Sequence, residues 1–541
     1  MTTKDEDRGT TDGRYSTPDT AVQQKHDGGA ASEPDYAEGF RLAAIMGTIF
    51  LSTLLAALDI GIVATAIPGI TDDFHRLNDV GWYGSACFLL VGSSSPMWGK
   101  LYKYFSAQLV YLTSVVIFLV GSILAAATPN STALIVGRAL QGWGPGSGPC
   151  LIGMWMSVFM FSTIIGPLIG GAFTSEVTWR WCFWINLPVG GPVIALVVLF
   201  FKVPKHIKPV PASWVEILRQ LDLPGFILLL CSLICFILAL QWGGQTKPWS
   251  DGSVIATLVV WVVLTAAFFV VEWIQVEYAM VPLALLRPRL VWTNALYGWI
   301  ANLANFQVLF YLPIYFQSIH GQSAIASGIN SLPFMAFFAA GSMISGFLIG
   351  TTRLLQPYEF ASGLLATVGA ALLYTLDIDS SKARYIGPQV IFGIGIGLGN
   401  QVPMTALQSF SKPEHIAPTT GVMLMCNSIS GAYFVTAAQS IFANYMLKEL
   451  ASKAPNINPV QVLTTGASEI SRVFQGADLA AVHEAYMAGI KDVFAFSLAG
   501  AAFTVVLSLA IPFKKLPDPA AAADKTDQNE EKNGTTESAG A

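Results

Sequence analysis

Apolar stretches of about twenty residues, parted by short polar turns, recur along the whole chain. A helix needs roughly 20 apolar residues to cross a bilayer. On that measure spans begin near residues 42, 80, 108, 132, 150, 186, 223, 253, 293, 325, 359, 385, 417 and 489. The pattern predicts an all-α polytopic membrane protein with about 14 transmembrane helices. Residues 1–40 and 513–541 are polar and read as disordered cytoplasmic tails, with no cleavable signal peptide. One long exterior loop is expected over 445–488. Its stretch "SEISRVFQGADLAAVHEAYMAG" reads as an amphipathic helix lying outside the bilayer. The sequon Asn130-Ser131-Thr132 falls in a loop too short to be glycosylated.

Composition sharpens this picture. The chain is 53% hydrophobic and 12% charged, against about 25% charged in a soluble domain, which excludes the soluble class. The net charge of −5 reflects acids gathered in the tails, and no basic patch suits nucleic acid. Six scattered cysteines form no CxxC and read as packing residues. The six histidines lie in tails or loops. No metal site, no cofactor and no enzymatic activity are therefore expected.

An even span count puts both tails on one side. Lys100, Lys103, Lys205, Lys208, Arg219, Arg287, Arg289, Arg353 and Lys412 fall in loops on that side, and Arg76, Arg180, Lys247, Lys382 and Arg384 on the other. The excess makes the tail side cytoplasmic.

Two charges lie inside apolar runs. Asp59 sits near the middle of the first span, in "FLSTLLAALDIGIVATAIPGI". A charge at that depth costs at least a few kcal/mol and usually marks an ion or proton path. Two readings fit it: a group that loads and releases a proton, or a carboxylate locked to a neighbouring helix. Arg138 lies early in the fourth span, followed by Gln141 and Gly142. It either pairs across a helix interface and helps expel a proton from a nearby acid, or snorkels to the outer surface.

Other stretches suggest movement or binding. "STIIGPLIGGAF" places Gly166, Pro167, Gly170 and Gly171 in a helix that can bend and pack closely. "MWGKLYKYFSAQ", with Gly99 and Lys100, is a basic cytoplasmic turn. It is either an ordinary anchor or a clamp on the helix ends. Asn302, Asn305 and Gln307 among aromatic residues, with Asn400 and Gln439, suggest a cavity for an amphipathic ligand. Gln141 is a further candidate for its lining, and interhelical hydrogen bonding explains the set equally well. "GSSSPMWGKL" has the wrong spacing for a phosphate loop, and "GIGIGLGN" lies in an apolar span. No nucleotide partner is expected.

Taken together, the motifs resemble those of the major facilitator superfamily, in particular the fourteen-span drug:proton antiporters of fungi, which include mycotoxin efflux pumps. The resemblance covers residues 39 to 513 and rests on five stretches. "LDIGIVATAIPGI" is similar to the first-span motif, and "GKLYKYF" to the loop between spans two and three. "GRALQGWG" is similar to the fourth-span arginine motif, and "STIIGPLIGG" to the antiporter motif of span five. "TWRWCFWINLPVG", with Trp179 and Arg180, is similar to the exterior signature that follows.

The resemblance implies an N-terminal bundle over 41–203, a cytoplasmic linker with two inserted spans over 204–291, and a C-terminal bundle over 292–512. It also implies inverted three-helix repeats rocking about a central site. Asp59 and Arg138 would belong to proton coupling, and Gly166, Pro167, Gly170 and Gly171 to the interface that favours antiport.

The chain departs from the family pattern in three places. Lys103 stands where the family usually has an acid, and Ser162 where the antiporter motif usually opens with glycine. Third, in "LIVGRALQGWGPGSGPCLIGMW" span four gives way to span five almost at once. Leu134 to Gly171 is only 38 residues, and two full spans with a turn need more than about 40. Span four is thus truncated, with roughly 20 to 25 residues missing between about Gly146 and Leu151 on that spacing.

The expected function is secondary active efflux of a small organic compound in exchange for protons, from a monomer in the plasma membrane or, alternatively, the vacuolar membrane. The alternatives are an importer of a small solute or iron chelate on the same fold, and a non-transporting protein disabled by its short fourth span.

Overall fold

The computed structural model of the chain describes residues 39–144, 152–201, 210–276, 278–281, 286–410, 416–465 and 470–516. A helix starts within four residues of every expected span but the last. In chain order they are α1 (Gly39–Phe74), α2 (Val80–Tyr104), α3 (Ala107–Ala126), α4 (Ser131–Trp143), α5 (Ile152–Ala172), α6 (Asn186–Phe200), α7 (Leu223–Trp242) and α8 (Gly252–Gln275). There follow α9 (Arg289–Ser318), α10 (Ala324–Thr352), α11 (Gln356–Tyr374), α12 (Lys382–Asn400), α13 (Ile416–Lys453) and α14 (Gly476–Ala510). Among the described residues, nine helices are long and apolar enough to cross a membrane. The chain is a multi-pass membrane protein, and its two sides are named here from the Lys/Arg bias.

Local chemistry sets the helix starts. Ser106, Asn130, Asp251 and Ser323 each accept a hydrogen bond from a backbone N–H in the first turn of α3, α4, α8 and α10. That satisfies donors the helix itself leaves open. Proline lies inside α1, α2, α5, α6, α9, α10 and α12, where each removes one backbone bond and favours a bend.

The last span departs from the expectation. α14 runs unbroken for 35 residues from Gly476. "GADLAAVHEAYMAG" therefore opens the spanning helix instead of forming a separate one on the surface, and the exterior loop contracts to 454–475. Alanine and glutamate favour helix. Val482, Ala485, Tyr486 and Met487 are buried against the bundle, which holds this stretch in one helix with the rest of α14.

Helices α1–α6 form one bundle and α9–α14 another. The two meet where α2 packs on α13, α5 on α10 and α1 on α9. The inserted pair α7–α8 packs on itself, and α7 lies against both α2 and α13. Polar bonds close the exterior half of the seam. Gln439 Nε2 donates to the Leu77 carbonyl at 3.1 Å and Tyr311 donates to Gln439 Oε1 at 3.0 Å. Gln317 Nε2 donates to the Thr65 carbonyl at 3.4 Å, and the Ile325 N–H to Ser175 Oγ at 3.2 Å.

α4 is 13 residues long, about 20 Å at 1.5 Å per residue, against a hydrocarbon core of about 30 Å. The Trp98 indole of α2 donates to the carbonyl of Trp143, the last residue of α4, at 2.6 Å. α2 runs on for six residues to Tyr104, so α4 stops nearly two turns above its neighbour's cytoplasmic end. The junction over 145–151, where the deletion is expected, lies outside the described residues, as do Lys205, Lys208 and Lys412.

Candidate functional site

Asp59 and Arg138, 79 residues apart in the chain, form a buried ion pair between α1 and α4. Each residue is 2% exposed. Arg138 does not snorkel to the surface. Its Nε donates to the Tyr83 carbonyl of α2 at 3.1 Å and its Nη1 to Gln141 Oε1 at 3.0 Å. Gln141 Nε2 in turn donates to Asp59 Oδ1 at 3.1 Å and to Ser122 Oγ of α3 at 2.9 Å. Asn186 of α6 donates to the same hydroxyl at 3.1 Å. Phe183 closes the site, with its ring 5.8 Å from the guanidinium carbon. Five helices thus converge on one carboxylate and one guanidinium.

The sequence places α4 close enough for this contact. Gly142 lies where any Cβ would collide with the Cys87 carbonyl of α2. Breaking such a pair on one side leaves an uncompensated buried charge, at about 3–5 kcal/mol.

The glycines of α5 continue from this site to the seam. Gly166 faces Gly61 of α1, two residues beyond Asp59, at backbone contact. Gly170 sits against Ile62 and Thr65. Gly171 meets the Ala324 carbonyl of α10, and Gly328 of α10 meets the Pro167 carbonyl. A Cβ at position 171 would stand 2.6 Å from the Ala324 oxygen. Gly171→Val is therefore expected to hold the exterior seam apart, with normal amounts in the membrane. Exchange of the Ile325 amide, bonded to Ser175 across the seam, should rise about tenfold. Unchanged exchange would show that the seam does not need this contact.

The exterior signature braces the same bundle. Arg180 donates to Asp73 Oδ2 at 2.7 Å and to the Thr128 carbonyl at 3.3 Å, and the buried Trp179 donates to the same Asp73 oxygen at 3.1 Å. At the other end of the bundle, Gly99 faces open space. Lys100 donates to the carbonyls of Tyr278 and Ala279, at 2.8 and 2.9 Å.

The residues suggested as cavity lining scatter. Gln141 belongs to the ion-pair network and Gln439 to the exterior seam. Asn302 donates to Asn427 at 3.3 Å. Gln307 is buried, donates to the Phe434 carbonyl at 3.2 Å, and leaves its Oε1 without a donor. Asn305 and Asn400 are half-buried. The rings of Phe88 of α2 and Phe306 of α9 meet across the seam with centroids 4.8 Å apart and planes tilted by 53°. A cavity of about 530 Å³ lies elsewhere, at the exterior mouth, lined by His75, Arg76, Asn78, Asp79, Gln241 and Trp242.

Four buried acids went unremarked in the sequence: Asp79, Asp222, Glu272 and Glu359. Asp79 accepts from Ser131 at 2.5 Å and Gln241 at 2.9 Å. Glu272 lies near the end of α8, where charge is cheap and unremarkable. Glu359 of α11 is fully buried, and neither carboxyl oxygen has a partner. The signal for it was one acid in "QPYEFASGLLATV".

The sequence profile of the Major Facilitator Superfamily matches residues 49–150 and 149–435, two pieces that meet where span four gives way to span five. The chain is 84% identical over 546 aligned positions to "Efflux pump notK" of Aspergillus sp. (strain MF297-2), covering 98% of this chain and 97% of that protein. It is 61% identical over 520 positions to the "Dehydrocurvularin exporter" of Alternaria cinerariae, covering 92% and 90%. The fold is similar to that of a bacterial homolog of the human lysosomal transporter Spinster. There the TM-score is 0.58 at 14% identity, covering 88% of this chain and 98% of the other.

Proposed function

The chain belongs to the major facilitator superfamily, and from that premise we propose that it exports a small, largely apolar secondary metabolite in exchange for protons. The observation that carries the reading is end-to-end similarity to proteins named as an efflux pump and as dehydrocurvularin exporters. Asp59 is the proton carrier. Protonating it removes the charge that holds Arg138, and the guanidinium then keeps only the Tyr83 carbonyl and Gln141 Oε1. The loosened α1 slides on α5 at Gly61–Gly166, and α5 shifts against α10 at Gly171–Ala324. One proton taken up outside is thereby traded for one closure of the exterior seam.

The cargo sits between the bundles, where Phe88 and Phe306 offer aromatic surface and Gln307 Oε1 an unfilled acceptor. The protein works as a monomer in the plasma membrane, with the vacuolar membrane as the alternative. It needs no nucleotide, metal or cofactor and performs no enzymatic step.

Inside-out vesicles carrying the protein and acidified inside are expected to accumulate dehydrocurvularin, and to stop when an ionophore collapses the gradient. Expulsion of preloaded compound under the same gradient would point to an importer instead. Accumulation indifferent to the gradient would exclude proton exchange.

A further inference from the structure

The two inserted helices meet α2 in a cluster of charges at the cytoplasmic end. Asp222 caps α7 from a left-handed backbone position, φ 48°, a conformation that Asp tolerates better than most residues. Its Oδ1 accepts from the Gly225 N–H at 3.0 Å and its Oδ2 from the Met280 N–H at 2.9 Å. Glu272 of α8 accepts the Val281 N–H on Oε2 at 2.7 Å. Lys100 of α2 donates to the carbonyls of Tyr278 and Ala279. Three ionisable side chains from three helices thus grip the segment 278–281, which precedes α9 in the chain. Asp222 and Glu272 are each 1% exposed.

The two carboxyls face each other across Gly225. A Cβ there would lie 2.5 Å from Asp222 Oδ2 and 2.8 Å from Glu272 Oε1, so only glycine leaves room for the pair. Glu272 Oε1 is buried and receives no hydrogen bond from any donor. Two buried carboxyls this close do not both ionise. With one proton between them, the pair carries one negative charge, which Lys100 balances. With none, it carries two, which repel each other beside a single cation. Lys103 is the other charge on this end of α2.

We infer that Asp222 and Glu272 form a proton-binding site separate from Asp59, and that its proton closes a clasp of α2, α7 and α8 on segment 278–281. The ligand is one proton, held by Glu272 Oε1 and shared with Asp222 Oδ2. Its loss on the cytoplasmic side releases the segment and frees the second bundle to move. This assigns the inserted helices a mechanical role, resting on the reading of the chain as a rocking transporter.

The test is hydrogen exchange of amides 278–281 in the full-length protein, followed from mildly acidic to neutral pH with intrinsic exchange removed. It needs neither cargo nor gradient. In the wild type, protection is expected to fall about tenfold or more in a single step as pH rises. Glu272→Gln, isosteric with the protonated acid, should keep the segment protected throughout. Lys100→Met should loosen it at every pH. A wild type with no step, or a Glu272→Gln protein with the wild-type step, would overturn the inference. Asp59→Asn should leave the step in place, and a wild type that shows the step but no proton-driven efflux counts against the exporter reading and not against the clasp.

Discussion

Asp59→Asn is expected to reduce gradient-driven efflux to the level of vesicles without the protein, while the variant still reaches the membrane. Asparagine matches aspartate in size and keeps an acceptor for Gln141 Nε2, now 3.1 Å away. It neither carries a charge nor takes up a proton. Two effects then have to be separated. One is loss of the proton site. The other is a buried arginine left without its counter-ion, worth about 3–5 kcal/mol of stability.

The double variant Asp59→Asn/Arg138→Gln separates them, because replacing both partners of a buried pair is often near neutral. Thermal unfolding in detergent should show the single variant well below wild type and the double variant recovering most of the difference. Efflux should recover in neither. If the double variant pumps, the pair is a structural brace. If Asp59→Asn alone pumps at the wild-type rate under a pH gradient, Asp59 is not the proton carrier.

Both members of the pair were legible as anomalies, because a charge within an apolar run is expensive wherever its partner lies. Their contact was not legible. It joins helices 79 residues apart, and no periodicity within one helix reports the neighbour across a bundle. The second layer was hidden for another reason. Ser122 and Tyr83 are unremarkable in an apolar run, since a serine bonds its own helix and a tyrosine contributes only its backbone carbonyl here. Gln141 looked like cavity lining because a glutamine fits either role. Glu272 and Asp222 escaped notice because they stand at helix ends, where sequence gives a carboxylate no reason to be buried. The starts of α3, α4, α8 and α10 were legible because each follows a polar cap. The failure at α14 arose where alanine-rich sequence suits both a surface helix and the continuation of a spanning one.

Restoring the segment opposite residues 145–151 from the 84%-identical relative is expected to raise efflux several-fold over the present chain, at equal amounts in the vesicle. Two observations fit a missing stretch there, and a third fits a missing stretch somewhere in the chain. α4 stops at Trp143, nearly two turns short of α2. The superfamily profile breaks at 149–150. The alignment with that relative, 546 positions, is longer than the 541-residue chain, so the relative carries residues this chain lacks. The loss falls selectively. Arg138, Gln141 and Gly142 lie in the exterior part of α4 and keep their partners on α1, α2 and α3, so the hydrogen-bonded ion pair with Asp59 is left intact. On the expectation of a shortened span four, the part absent is the cytoplasmic end of a helix that packs on α2 and α3, together with the turn into α5. A bundle shortened there has less to seal its cytoplasmic mouth when the exterior opens. The present chain should therefore move cargo more slowly than the restored chain and leak protons, seen as faster decay of an imposed pH gradient than in vesicles of the restored chain. Equal efflux from the two chains, with equal decay of the gradient, would show that the cytoplasmic part of span four is dispensable for transport.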